Sequence, residues 1–299
     1  MKYLQFIKKL IFQTRWQFFK PKEKDVLIYD HGSEYLFQLI DSSKCFIYDV
    51  QFDPVHKGSI NFYIIIVNFI KKGLKNFKEN YKKTYFHYIK PKFIITFRHY
   101  NPSFYKIKNI FKNATTIFIQ WGKAQRFFFD FDEDKGIKNQ VDYMFTFGES
   151  VSEQYSKKII GKCISVGSII NNNLKLPKDF EKNTLIFISQ FKGSHRILPK
   201  SEEMILKILK KYCQEKKLKF YINTRALNSD KKAEDIFSKI LGEKDWHYFP
   251  RKYRGIESDI ESYGRVMKSE FVVFLDSTLG YEALSRGKKV VALPLGANI

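Results

Sequence analysis

Short apolar runs alternate with segments of helical periodicity along almost the whole chain. In the first half, strands are predicted at 25–30 (DVLIYD), 44–50 (KCFIYDV), 91–97 (PKFIITF), 115–122, 141–148 and 162–168. Helices are predicted between them, including 59–83 with its basic face and the segment that begins at Glu149 and Ser150. Because such alternation gives parallel sheets with right-handed crossovers, residues 1–168 are predicted to form a Rossmann-like domain.

The pattern pauses at 169–183 and then restarts. IINNNLKLPKDFEKN is rich in Asn, contains Pro and has no period, which predicts a linker. The later strands are predicted at 184–189, 219–225, 245–250 and 271–276, and the later helices at 201–216, 231–242 and 261–269. The predicted fold class is therefore α/β, with a second Rossmann-like domain over 184–299 that faces the first across a cleft.

The stretch FVVFLDSTLGYEALSRGKKVVALP, residues 271–294, combines a buried strand with Asp, Ser, Thr and Gly. A helix is predicted from Leu279, with Gly287 as its left-handed stop. In an open parallel sheet, ligands bind at the carboxyl ends of the strands. Asp276, Ser277 and Thr278 stand at such an end, as does Gly280.

Free amides of residues 278–280, with two hydroxyl groups and the helix dipole, suit a phosphate. Glu282 lies one turn into the same helix, where it is expected to accept hydrogen bonds from sugar or ribose hydroxyls. The structural alternative is that Ser277 and Thr278 only cap the helix and that Glu282 is solvated.

The chain is strongly basic, with 53 Lys and Arg against 31 Asp and Glu, a formal charge of +22. Residues 57–112 carry 13 basic residues and one Glu. This face suggests an anionic partner. Since 44 of the basic residues are Lys and only 9 are Arg, the composition argues against a protein that reads nucleic-acid sequence.

Cysteine usage and apolar runs indicate the compartment. The three cysteines lie far apart, which argues against a disulfide framework or a Cys-based zinc site and favours a reducing compartment. The longest apolar run, 60–70, is too short to span a bilayer. The N-terminal stretch MKYLQFIKKLIFQTRWQFFK predicts either a segment on an anionic membrane surface or a helix packed on the first domain.

D-S-T-L-G-Y-E-A-L followed by G-K-K-V-V resembles the nucleotide-sugar-binding segment of GT-B glycosyltransferases, most closely the bacterial surface carbohydrate biosynthesis proteins, distant relatives of Kdo and sialic-acid-type transferases. DVLIYD-x-GSE, FIQWG, VDYMFTFGESVSEQYSKKIIGKCISVGSIINN and FISQF agree in order, so the likeness spans about residues 25–295. The chain departs from the family at Trp121, where Asn is more common. It also stops at LPLGANI, so we expect an incomplete second domain.

The resemblance implies a glycosyltransferase that moves a sugar from a nucleotide-sugar donor, CMP-linked by the Kdo and sialic-acid likeness, to a surface polysaccharide or lipid-linked acceptor. It implies no cofactor, because the nucleotide sugar is a substrate, and no metal. Ser277, Thr278 and Gly280 would hold the phosphate. Ser189 and Gln190 would assist them after the first strand of the second domain, and Arg225, Asp276 and Glu282 would complete the donor side.

The proton acceptor is assigned by position. A Glu in the loop after the first strand is the proposed base in Kdo-type transferases, and Glu34 stands there, with Asp30 and His31 as the fallback pair. The structural alternative is that Glu34 stabilises its own helix through the dipole. On the acceptor side the resemblance implies contacts from Arg98, Asn101, Gln120 and Gly122. We expect a cytoplasmic protein, peripheral at the inner face of the cytoplasmic membrane.

Two other functions fit parts of the pattern. UDP-GlcNAc 2-epimerases share the fold and an Asp-Ser-x-Gly-x-x-x-Glu stretch, but usually have Gly-Gly and a second Glu where Thr278-Leu279 and Ala283 stand. A non-catalytic binding module is the third interpretation. The acidic run 130–136 (DFDEDKG) resembles a metal motif but lacks the Gly and Glu of a calcium loop, and is predicted to be a solvated turn.

Overall fold

All six strands predicted in the first half of the chain form. The structure is a computed structural model, which describes residues 14–29, 36–37, 39–48, 58–98, 101–123, 139–175, 179–194, 197–242, 245–252 and 256–293. The chain divides into two compact units, Met1–Ile169 and Ile170–Ile299.

The first unit contains eight described strands. They are β1 (Thr14–Gln17), β2 (Val26–Tyr29), β3 (Cys45–Tyr48), β4 (Gly58–Asn61), β5 (Phe93–Thr96), β6 (Thr115–Ile119), β7 (Gln140–Thr146) and β8 (Ile160–Ser165). Six of them form one sheet in the order β3-β2-β5-β6-β7-β8, with every pairing parallel. The β2 strand runs beside both β3 and β5, so its four residues are buried on both faces, as its unbroken apolar sequence predicts.

Five described helices accompany this sheet: α1 (Phe62–Lys72), α2 (Phe77–Ile89), α3 (Pro102–Tyr105), α4 (Ile107–Ile110) and α5 (Glu149–Ser156). The prediction of one helix over 59–83 is wrong in its extent. Gly73 adopts φ +64 and ends α1, its amide donating to the Phe69 carbonyl oxygen at 2.9 Å. Asn76, also left-handed, then precedes α2. The helical spacing of apolar residues continues across Gly73, so this spacing does not reveal where α1 ends.

A separate parallel ladder joins β1 to β4, with Thr14 opposite Gly58 and Gln17 opposite Asn61. The N-terminal stretch is therefore extended at its end, and the prediction of a helix is wrong for Thr14–Gln17. The aromatic-basic alternation of this stretch fits a strand as well as a helix, and the partner strand lies more than forty residues away in sequence. Residues 1–13 lie outside the described residues.

The second unit has a five-stranded sheet in the order β11-β10-β9-β12-β13, again parallel throughout. Its strands are β9 (Glu181–Ile188), β10 (Lys219–Leu227), β11 (Trp246–Arg251), β12 (Ser269–Phe274) and β13 (Lys289–Ala292). The described helices are α6 (Ile169–Asn173), α7 (Lys200–Lys216), α8 (Lys231–Leu241), α9 (Ile256–Lys268) and α10 (Thr278–Ser285). The predicted fold class, α/β with Rossmann-like units, is confirmed.

The segment predicted as a linker, 169–183, is more ordered than its composition suggests. It contains α6 and the first residues of β9. Asn171 is 6% exposed, and its side-chain oxygen accepts a hydrogen bond from Nε of Arg286 at 3.0 Å. Polar contacts of Asn171 and burial of Ile170 both hold this helix, which is too short to show a hydrophobic period.

Each unit has its own apolar core. In the first unit the core is rich in aromatic side chains, including Tyr85, Phe86, Phe104, Tyr105, Phe118 and Tyr155. In the second unit it contains Phe187, Leu206, Phe220, Ile222, Phe237 and Trp246. Within the described ranges, no helix combines the length and apolar character needed to cross a membrane.

Candidate functional site

Three neighbouring strands of the second unit, β10, β9 and β12, end at the same edge of their sheet, and their loops are joined there. The Ser189 amide donates to the Asn223 carbonyl oxygen at 2.9 Å, and the Arg225 amide donates to the Phe191 carbonyl oxygen at 3.1 Å. The side-chain amide of Gln190 donates to the Asp276 carbonyl oxygen. The donor-side residues that the sequence singles out therefore lie on one connected edge of the sheet, where ligands bind in open α/β sheets.

Helix α10 begins immediately beyond this edge. Ser277 is its N-cap residue, with extended backbone angles of φ −134 and ψ 128, and its side chain makes no capping hydrogen bond. The Ser277 hydroxyl therefore does not cap the helix, contrary to the structural alternative for this residue. Both Ser277 and Thr278 are half-buried. The amides of the first turn and the positive end of the helix dipole lie at this point, and both favour binding of an anion.

Gly280 is required here because it has no side chain. Its amide donates to the Ser277 carbonyl oxygen at 3.1 Å, so the prediction that the amide of residue 280 is free is wrong. The reason is the tight first turn of α10. A Cβ atom at this position would overlap three ring carbon atoms of Phe274, which is fully buried on β12. Glycine therefore lets the first turn of α10 lie directly on the strand.

Ser189 and Gln190 act on the loops around them. Ser189 is fully buried, and its hydroxyl donates to the Glu202 carboxyl group. The backbone amide of Gln190 also donates to this carboxyl group. Gln190 uses its side chain on Asp276, as described above. The pair thus links the end of β9 to the residue just before Ser277, and its predicted assistance to the phosphate stays a prediction.

Glu202, which the sequence analysis missed, anchors this link. It stands three residues after Pro199, the N-cap of α7, where Glu often turns back to the amide of the N-cap residue. Proline has no amide hydrogen, so that bond is impossible here and the carboxyl group bonds to the β9 loop instead. The side chain is 1% exposed, and its Oε2 atom has no hydrogen-bond partner. The Pro-x-x-Glu spacing is the signal that could have identified it.

Replacement of Glu202 by glutamine is expected to change how stability depends on pH. Burial raises the pKa of the Glu202 carboxyl group above its usual value, and the hydrogen bonds from Ser189 and Gln190 only partly oppose this. Between the unfolded and the folded pKa, the folded protein binds more protons, so its stability falls as the pH rises from about 4.5 upward. The Glu202→Gln variant should lose that decline, measured by urea unfolding at a series of pH values.

Glu203→Gln is the matched control, because that neighbouring carboxyl group is 38% exposed and pairs with Lys207 at 2.7 Å. Its pH profile should follow the wild type. An unchanged slope in Glu202→Gln would show that the buried carboxyl group does not titrate in this window.

The structure gives Glu282 a different partner from the one expected. It is 5% exposed, and its carboxyl group accepts a hydrogen bond from the hydroxyl of Tyr263 on α9. Burial against α9 excludes the solvated alternative, whereas contact with sugar hydroxyls stays a prediction. Arg225 is exposed at the end of β10. The neighbouring Thr224 hydroxyl donates to the Tyr248 hydroxyl at 3.4 Å.

The acceptor-side residues lie in the first unit, and two of them have structural roles. Gln120 is 3% exposed; its Nε2 donates to the Gly122 carbonyl oxygen at 2.9 Å, and its Oε1 accepts from the Phe147 amide at 2.8 Å. The side chain therefore ties the loop after β6 to the end of β7. Asn101 caps α3, accepting from the Ser103 amide at 3.2 Å.

Most of the remaining predicted residues lie outside the described ranges. Glu34, Asp30 and His31 lie outside the described residues, as does the acidic run 130–136. Arg98 lies just after β5, where its amide donates to the Thr96 hydroxyl at 3.1 Å. Among the described residues, no group of three or more His, Cys, Asp or Glu is arranged to hold a metal ion.

A solved structure shares this fold at low sequence identity, and two others are more distant matches. MnaA of S. aureus, solved with UDP, is 14% identical, and the match covers 90% of this chain and 79% of that one with a TM-score of 0.53. A glycosyltransferase from Rickettsia africae is 12% identical over 92% and 80%, with a TM-score of 0.46. The wall teichoic acid polymerase TagF is 9% identical over 93% and 71%, with a TM-score of 0.44.

The family comparison is more direct. No curated protein sequence matches the chain. A family model described as "putative O-antigen biosynthesis protein" matches residues 117–299, more than half of the chain and the whole of the second unit. The predicted resemblance to surface carbohydrate biosynthesis proteins of the GT-B fold is confirmed. The chain belongs to this family of O-antigen biosynthesis proteins.

Proposed function

We propose that this protein transfers a sugar from a nucleotide-sugar donor to a glycan or lipid-linked acceptor of a surface polysaccharide. The observation that carries the proposal is the start of α10. A helix N-terminus without a side-chain cap stands at the carboxyl end of a central strand, with the half-buried Ser277 and Thr278 beside it. Membership of the O-antigen biosynthesis family supports the same chemistry.

The α10 start would act on the leaving group. When the bond between the anomeric carbon and the phosphate oxygen breaks, negative charge develops on that oxygen. First-turn amides and the Ser277 and Thr278 hydroxyls would stabilise this charge by hydrogen bonds that are in place before the reaction. The link from Glu202 through Ser189 and Gln190 to Asp276 would hold the loop in position, since such stabilisation depends on fixed donors.

Deprotonation of the acceptor is assigned to Glu34. The acceptor hydroxyl would attack the anomeric carbon while the Glu34 carboxylate takes its proton, and the nucleotide would leave with both electrons of the broken bond. Asp30 and His31 are the fallback pair, and Arg98, Asn101, Gln120 and Gly122 would form the acceptor side. The resemblance to Kdo-type transferases supports these roles.

The donor is proposed to be a CMP-linked sugar, by likeness to Kdo and sialic-acid-type transferases. UDP is the second candidate because MnaA, which shares the fold, was solved with UDP. We further propose that the protein works at the cytoplasmic face of the membrane. All three cysteines are free, which agrees with a reducing compartment.

Sugar-nucleotide epimerisation is the alternative, since the Asp-Ser-Thr-x-Gly stretch and the fold are compatible with it. Turnover separates the two reactions. We expect nucleotide release from a CMP- or UDP-sugar to rise when a membrane extract carrying lipid-linked glycan is added, with sugar recovered in the lipid fraction. Conversion of the free nucleotide sugar to an epimer, without any acceptor, would contradict transfer and favour the epimerase.

A further inference from the structure

Helix α1 carries apolar side chains on its exposed face as well as on the face that packs on its unit. Its buried positions are Ile64 and the polar Asn68, whereas Phe69 is 56% exposed and Ile70 is 75% exposed. A helix that packs on a soluble domain normally turns its apolar stripe inward. The described residues of this unit therefore leave the Phe69 and Ile70 side chains of α1 largely uncovered.

These exposed side chains form one continuous patch. Along α1 and its end they are spaced at i, i+4, i+7, i+8 and i+12, which places them on one face over about 12 Å from Phe62 to Ile70. Two residues after β1 extend the patch, since the Phe18 ring lies 6.0 Å from the Phe62 ring. We define the α1 patch as Phe18, Phe19, Phe62, Ile66, Phe69, Ile70 and Leu74, which are each 43–86% exposed.

The patch is held in place by Asn61 and Asn68, both nearly fully buried. The Asn61 side chain accepts from the Ile64 amide at 3.1 Å and donates to the Phe19 carbonyl oxygen at 2.9 Å, so it fixes the end of β1 to the start of α1. Asn68 accepts from the Thr84 hydroxyl on α2 at 3.5 Å. These hydrogen bonds therefore fix α1 to the end of β1 and to α2, so the exposed apolar side chains have defined positions.

Exposed basic residues flank the patch along the chain: Arg15, Lys20, Lys71, Lys72, Lys75 and Lys78. The segments 14–20 and 58–78 contain no Asp or Glu. The nearest acidic residues in sequence are Glu79, which pairs with Lys83 at 2.8 Å, and Glu23, which pairs with Lys90 at 2.5 Å and also interacts with Lys20. An apolar patch flanked by an excess of basic side chains is complementary to lipid tails below anionic headgroups.

We propose that the α1 patch is the docking surface for an anionic lipid bilayer. Helix α1 lies in the plane of the interface, its Phe and Ile side chains enter the headgroup region, and the lysines contact lipid phosphates. A second copy of the chain is a poor occupant, because two such surfaces would bring twelve positive charges together. This surface is independent of the sugar-transfer proposal.

Flotation with vesicles tests the proposal. The full chain is mixed with vesicles of phosphatidylcholine alone or with about 30% phosphatidylglycerol. The wild type should bind the anionic vesicles at least tenfold more, and salt should weaken this binding. Phe69→Ser/Ile70→Ser and Lys71→Gln/Lys72→Gln should each lower binding by about tenfold.

Met204→Ser/Ile208→Ser is the matched control, because these exposed apolar residues lie on α7 in the other unit. It should bind like the wild type, and thermal unfolding checks that every variant is folded. Three results would overturn the proposal: no preference for anionic vesicles, full binding by Phe69→Ser/Ile70→Ser, or conversion of an oligomer to monomer by that variant. The second result would assign binding to another segment and the third would make the patch a contact between protein molecules.

Discussion

Replacement of Glu34 by glutamine is expected to lower the rate of sugar transfer by about 10²–10⁴-fold, the usual loss when a general base is removed. Glutamine keeps the size and hydrogen-bonding capacity of the side chain but cannot take a proton. The nucleotide affinity should not change, since the donor is proposed to bind at the start of α10. The measurement is nucleotide release and lipid-linked product at saturating donor.

Glu153→Gln is the matched control, because Glu153 is exposed on α5 of the same unit. It should transfer sugar at the wild-type rate. If Glu34→Gln keeps full activity, the proton acceptor is another group, and Asp30→Asn and His31→Gln become the decisive variants. A proportional fall in nucleotide affinity would instead assign Glu34 a structural role.

Gly280→Ala is expected to destabilise the second unit by about 1–3 kcal/mol and to weaken nucleotide binding together with it. The added methyl group would overlap the ring of Phe274. That ring cannot move aside cheaply, because it is fully buried and packs edge-on against Tyr281 with the ring centroids 4.9 Å apart. The first turn of α10 must therefore shift away from β12, at the cost typical of an overfilled core.

The control for this variant is Gly264→Ala. Gly264 lies within α9, and a Cβ atom there would meet no atom within 4 Å. Alanine in a helix interior is favoured over glycine by about 0.5–1 kcal/mol, so this variant should be more stable than the wild type. Both changes are read by urea unfolding. Equal stability of Gly280→Ala and the wild type would contradict the tight contact between α10 and β12.

The strands of each sheet and their parallel arrangement follow well from the sequence, because buried parallel strands are nearly continuous apolar runs. Their ends are less predictable. The 59–83 helix is broken by Gly73, and β1 finds its partner β4 only through a contact distant in sequence. Local hydrophobic periodicity shows neither the residue at which a helix is interrupted nor the partner of a strand that is distant in sequence.

The candidate site shows a similar division. The position of Ser277 at the start of a helix could be predicted, since the Asp-Ser-Thr-x-Gly stretch follows a buried strand. The role of Gln120 could not, because it depends on a hydrogen bond from the Phe147 amide, 27 residues further along the chain. The Pro-x-x-Glu spacing marks Glu202 as a residue without its usual capping bond, but it does not identify the Ser189 loop as its partner. Polar residues that serve a loop and those that serve a ligand have the same sequence signature.

A binding titration against CMP, CDP, UDP, GDP and ADP tests the central claim most directly, with the wild type and Ser277→Ala/Thr278→Ala compared. We predict that one nucleotide saturates the wild type, with CMP the first candidate, and that the double variant binds it at least tenfold more weakly. Ser238→Ala, an exposed hydroxyl on α8 that donates to the Glu234 carbonyl oxygen, should bind like the wild type. Equal binding by the double variant, or no binding of any nucleotide by the wild type, would contradict a phosphate site at the start of α10.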